Sequence, residues 1–173
     1  VTQSIVPPPN YRAPGSVATL TAPVVGGGIA ENTLMSYVVP LNSAAVGTMF
    51  EVSIMGRLTA PATATTLIYR LKMGAVTLAT LTTTPGNTTA GLAFSTKAFV
   101  VCTVTGVSGR FNGGVISEVQ LVAVAQQHIG NVPGANVTNI DTTLNQSLAL
   151  TYQWSAAPTL YSAELGTINL IRL

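Results

Sequence analysis

The sequence predicts an all-β protein, a two-sheet antiparallel sandwich of about eight strands with an extended N-terminal arm. Three observations carry that expectation. From Leu34 to Leu173 short runs alternate apolar and polar side chains at the two-residue period of a half-buried strand. The runs are separated by turn-forming clusters of Gly, Pro, Asn and Thr, and no stretch shows the spacing of an amphipathic helix. Thr and Val, whose branched Cβ suits a pleated surface, are used throughout.

The elements follow in chain order. Residues 1–33 form the arm: "VPPPNYRAPG" holds three consecutive prolines and a fourth at Pro14, which favour extended polyproline geometry. The glycine run Gly26 to Gly28 then supplies a flexible turn. Residues 34–173 form the sandwich domain, beginning with "LMSYVVPL". In "TMFEVSIMGRL", Phe50, Val52 and Ile54 alternate with Glu51, Ser53 and Met55. After a Thr-rich loop, "TLIYRLKM" sets Leu67, Tyr69, Leu71 and Met73 against Ile68, Arg70 and Lys72, and Gly74 turns the chain into "AVTLATLTT". "LAFSTKAFVVCTV" and "GGVISEVQLVAVA" flank a turn around Gly106 to Gly109. "SLALTYQW" and "ELGTINLIRL" complete the set. The expected inward set is Phe50, Val52, Ile54, Leu67, Tyr69, Leu71, Leu148, Leu150, Tyr152 and Trp154. "NSAAVG" and "WSAAPT" are too short and too broken to compete as helices, and no fixed-period repeat is present.

Charge is the anomaly. Hydrophobic residues make up 47% of the 173, an ordinary value, but charged residues only 7% where about a quarter is usual. The outer faces must therefore be Thr, Ser, Asn, Gln, Ala and Gly, and with a net charge of only +2 copies have little to keep them apart. Self-association or burial in a larger assembly is expected. The bases Arg12, Arg57, Arg70, Lys72, Lys97, Arg110 and Arg172 are dispersed, which argues against nucleic acid as a direct partner. The pI of about 8.9 reflects a small surplus of bases over few acids. No apolar run approaches the roughly 18 residues of a membrane span. No basic start followed by an apolar run marks a secretory signal. A soluble product made in the cytoplasm, with no membrane partner, is the expectation.

Groups that could do chemistry are few. His128 is the only histidine, so one chain cannot build a multi-histidine metal site, although a threefold axis would gather three copies; beside a predicted loop it reads as an exposed or hydrogen-bonding residue. Cys102 stands alone within "FVVCTV" and reads as a small buried hydrophobe. The acids are Glu31, Glu51, Glu118, Asp141 and Glu164. Glu51 and Glu118 are the pair that adjacent strands would bring together for glycoside hydrolysis, but cross-strand ion pairs to Arg57, Arg70 or Lys72 explain them more simply. "VGGGIAEN" lacks the Lys-Ser/Thr pair of a phosphate-binding loop. Sequons at Asn87, Asn136 and Asn145 fall in loops or at a strand start and matter only in a eukaryotic secretory route. Tyr152 and Trp154 alternate with Thr151 and Gln153, which places them in the core rather than on a sugar-stacking surface. No catalytic residue, cofactor site or metal site is assigned, and the expected protein is not an enzyme.

The succession "VVPLNSAAVGTMFEVSIMGRLT", a Thr-rich loop, "TLIYRLKMGAVTLATLTT" and a late "NIDTTLNQSLALTYQW" resembles the β-sandwich structural proteins of tailed bacteriophages, the jelly-roll modules of head decoration proteins and of tail or head fibres. The resemblance runs from Leu34 to the C-terminus and lies in the order of the pieces, since no motif in it carries chemistry. It implies a jelly-roll sandwich in a virion protein, commonly a homotrimer. One role would be decoration or cement on the capsid surface, contacting the major capsid protein or other virion proteins. The alternative is a fibre or knob module that grips a host-surface glycan or protein. The Pro-rich beginning departs from the commonest version; the arm is expected to lie across an adjacent subunit or the capsid floor.

Overall fold

The structure is a computed structural model that describes residues 15–26, 29–59, 66–84, 91–120, 125–129, 137–156 and 160–172. Every regular element among them is a strand: β1 (Gly15–Thr19), β2 (Val24–Val25), β3 (Asn32–Val39), β4 (Thr48–Thr59), β5 (Leu67–Met73), β6 (Val76–Thr83), β7 (Leu92–Val104), β8 (Gly109–Gln120), β9 (Ala125–Ile129), β10 (Val137–Ile140), β11 (Gln146–Trp154) and β12 (Leu160–Arg172). The eight long ones coincide with the eight patterned runs. The four short ones are additions that the pattern does not announce.

All pairings are antiparallel, in two sheets that form a sandwich. The larger sheet runs β1-β12-β4-β7-β8-β10, and the smaller runs β3-β11-β5-β6. Each edge of the larger sheet is shared by two short strands. β1 and β2 lie in succession along β12, and β9 and β10 along β8. Short, interrupted edges offer a poor template for a foreign strand.

Gly15 stands opposite Leu170, Leu20 N–H donates to the Gly166 carbonyl, and Gly26 N–H donates to the Tyr161 carbonyl. The second half of the lead therefore runs down β12 of its own chain. Within the described residues, what it grips is its own sheet; residues 1–14, Gly27 and Gly28 lie outside them.

Alternation builds the core. In β4, Phe50, Val52, Ile54 and Leu58 are buried, and the partners between them face out. The whole expected inward set is buried, joined by Phe94, Val100, Phe111, Val115 and Tyr161. Each such side chain contributes about 1.5–3 kcal/mol by leaving water, before conformational entropy is set against it. The β5–β6 hairpin closes at Gly74, whose φ of +59° suits a residue without Cβ.

β12 departs from simple alternation. Ala163 pairs with Gly56 and Leu165 with Met55, so Glu164 is an extra, bulged residue. It switches the inward parity from Tyr161 and Ala163 to Ile168 and Leu170, and leaves Leu165 67% exposed.

Candidate functional site

The two carboxylates Glu51 and Glu118 are held apart. Glu51 on β4 stands opposite Phe99 of β7, whereas Glu118 on β8 stands opposite Ser95 of β7. A whole strand and four residues of register separate them, roughly 16 Å at ordinary strand spacings. Two carboxylates that flank a glycosidic bond are about 5–9.5 Å apart. These two strands are not adjacent, contrary to the arrangement considered from sequence. The bases expected to pair with Glu51 or Glu118 take other partners: Arg57 meets Glu164 at 3.7 Å, and Arg70 and Lys72 converge on Glu31 at 3.5 and 3.0 Å.

The Glu31 cluster sits on the outer face of the smaller sheet. The Thr151 hydroxyl donates to Glu31 at 2.6 Å, Arg70 donates to Gln153 at 2.9 Å, and Gln153 donates to the Ile29 carbonyl at 3.1 Å. Thr151 has the largest influence in holding the Glu31 carboxyl below its ordinary value. Lys72 and Arg70 act in the same direction, against partial burial. Every one of these contacts is spent on fastening residues 29–31 across β5 and β11, so the cluster reads as a clasp.

His128 lies on a strand rather than in a loop: β9 carries it opposite Ser117 of β8. Cys102 is buried, and burial pushes its thiol up, only partly offset by its bond to the Val104 carbonyl. Tyr152 and Trp154 are buried, so neither ring can stack on a sugar. Asn87 and Asn136 lie outside the described residues. Among the described residues, no three of His, Cys, Asp and Glu come together as a metal site requires.

Between the sheets lies an aromatic cluster centred on Tyr161. Its ring stacks on Tyr152 at 4.1 Å and on Phe94 at 4.9 Å, and Trp154 meets it edge-on at 6.2 Å. Tyr161 donates to the Tyr69 hydroxyl at 3.3 Å, and Thr96 and Ser117 share a bond at 2.9 Å nearby. Burial raises Tyr161 well above its ordinary value, and raises Tyr69 and Tyr152 as well. With no path to solvent, these hydroxyls serve the core. Tyr161 went unread in the sequence because it precedes the bulge.

The surface best organised for contact is one end of the sandwich. Three connections meet there: 40–47 between β3 and β4, 105–108 between β7 and β8, and 141–145 between β10 and β11. They are braced against one another. Leu41 N–H donates to Asn145 Oδ1 at 2.8 Å, Asn42 N–H to the Thr142 carbonyl at 2.8 Å, and Gly106 N–H to Thr142 Oγ1 at 2.7 Å. Gly47 N–H donates to the Cys102 carbonyl at 2.9 Å. Asp141 receives both the backbone N–H and the hydroxyl of Thr143, at 2.8 and 2.6 Å, which fixes the third loop as an Asx turn. On this rigid base stand Leu41, Val46, Val107 and Leu144, 54–70% exposed. Among the described residues, the exposed large apolar side chains are all aliphatic or methionine. Asn145 was singled out as a sequon; its side chain is one of the braces.

No family model and no curated protein matches the chain. Among solved structures it is similar to the CBM2 module of the evolved Dit of Lactobacillus casei BL23 phage J-1, with a TM-score of 0.33 and 10% identity over 80% of this chain and 69% of that one. A likeness this slight assigns neither fold nor role.

Proposed function

We propose that this chain is a non-enzymatic structural protein of a tailed-phage virion. In this reading it is made in the host cytoplasm and acts on the capsid surface as a decoration or cement protein, a homotrimer that bridges neighbouring shell subunits by contact area. The order of the sequence pieces supports the phage reading, and the 7% charged content supports a life in contact with other protein. The observation that carries the contact role is the braced loop end with Leu41, Val46, Val107 and Leu144 held out to solvent. Loops tied by several hydrogen bonds lose little freedom on docking, so most of their apolar burial is retained as affinity. Each of the four would contribute about 1 kcal/mol, and three copies on one trimer would multiply that modest strength into firm retention.

The test is immunogold labelling of virions of the phage that encodes the chain. Dense, regular label over the head is the expected result. A few particles of gold at a tail tip would instead favour the fibre module that grips a host glycan or protein, and an unlabelled virion would overturn the reading.

A further inference from the structure

The outer face of the larger sheet presents a block of sixteen positions in register, four each on β12, β4, β7 and β8, from Leu165, Met55, Ser95 and Glu118 to Ile171, Met49, Val101 and Asn112. Half of them are apolar or glycine. Ile171, Met49 and Val101 make one continuous row. Phe99, Val101 and Ile116 line a hollow of about 220 Å³ floored by Gly113 and Gly114. Asn112 also lines it, and its Oδ1 is shut off from solvent without a hydrogen-bond donor. At the centre of the block are two opposite charges on neighbouring strands, Glu51 beside Phe99 and Lys97 beside Ser53. Neither makes an ion pair among the described residues.

We infer that this face is where copies of the chain meet, around a threefold axis that runs along the strands in front of β4 and β7. Three observations select a second copy as the occupant. The first is area: four strands about 4.8 Å apart, each twelve or thirteen residues long at about 3.3 Å per residue, present roughly 750 Å², which a trimer divides between two neighbours, so that each copy gives up in all about what one partner of a stable interface does, ~800 Å². The second is composition: half of the block is apolar or glycine, with a hollow at its glycines, and its charged members are Glu51, Lys97 and Glu118. The third is self-complementary charge. Such an axis sets β4 of one copy against β7 of the next, which brings Glu51 within one strand row of the neighbour's Lys97, a lysine's reach. The inference rests on the self-association in the reading above and not on the virion.

The test is sedimentation of the full chain and its charge variants at micromolar concentration. Glu51→Lys or Lys97→Glu alone sets like charges across the contact and is expected to raise the concentration of half-association at least tenfold. The double exchange, Glu51→Lys with Lys97→Glu, restores it, and mixing the two single variants restores it in part. Near-ultraviolet circular dichroism confirms that each variant is folded. Single variants that associate like the unaltered chain would overturn the face while leaving self-association intact, as would a double exchange that restores nothing. An unaltered chain that stays monomeric would overturn the self-association reading and this inference with it.

Discussion

At the residue scale the buried tyrosines and Glu31 make opposite demands on pH. Tyr161 is neutral and sealed among Tyr69, Tyr152 and Trp154, and burial lifts its folded value well above the unfolded one. The folded chain then holds a proton that the unfolded chain releases, so this contribution is complete below about pH 10 and falls as pH rises beyond it. Denaturant melts between pH 8 and 11 are expected to show that loss, and Tyr161→Phe to lose less, at a cost of about 1 kcal/mol at neutral pH for the missing hydrogen bond. Glu31 is held low by Thr151, so its contribution is present above about pH 4.5 and disappears as pH falls through the folded value. A half-exposed clasp is worth little, so Glu31→Gln is expected to cost under about 1 kcal/mol at pH 7. The difference between variant and parent should close in acid.

At the element scale, legibility followed burial. β4 was readable because Phe50, Val52 and Ile54 strictly alternate with outward residues. β12 was half readable: the bulge at Glu164 puts odd-numbered Tyr161 and even-numbered Ile168 on one face, which no constant period can reveal. β1 and β2 are short and have almost no buried face to impress on the sequence, and "AQQHI" of β9 shows no alternation at all. One deletion and one substitution probe these parts. Deleting residues 1–20 removes β1 with the half-buried Val17 and Leu20 that pack on the core, and is expected to cost roughly 3 kcal/mol in urea unfolding; an unchanged midpoint would mean that the lead is a loose end. Gly56→Ala drives a Cβ into the Ser162 carbonyl of β12 beside the bulge, where backbone cannot yield. The expected loss is about 2–3 kcal/mol.

At the scale of the whole molecule, the sandwich was legible and its strand order was not. Which runs become neighbours depends on contacts between distant segments. The loop end was invisible for the same reason: Leu41 and its brace Asn145 are 104 residues apart, and Gly106 and Thr142 are 36 apart. The scarcity of charged side chains was readable by counting, and the structure added where, among the described residues, some of those acids and bases pair. Among the described residues, the sandwich ends in hydrogen-bonded loops that hold Leu41, Val46, Val107 and Leu144 out to solvent. The most direct measurement is occupancy of purified particles by the chain carrying Leu41→Asp and Leu144→Asp, two changes at exposed positions that leave the core and the loop braces in place. The expected result is a folded protein whose retention on particles, quantified by gel densitometry after gradient purification, falls at least tenfold below that of the parent. Retention equal to the parent's would contradict the claim that this end holds the chain to the shell.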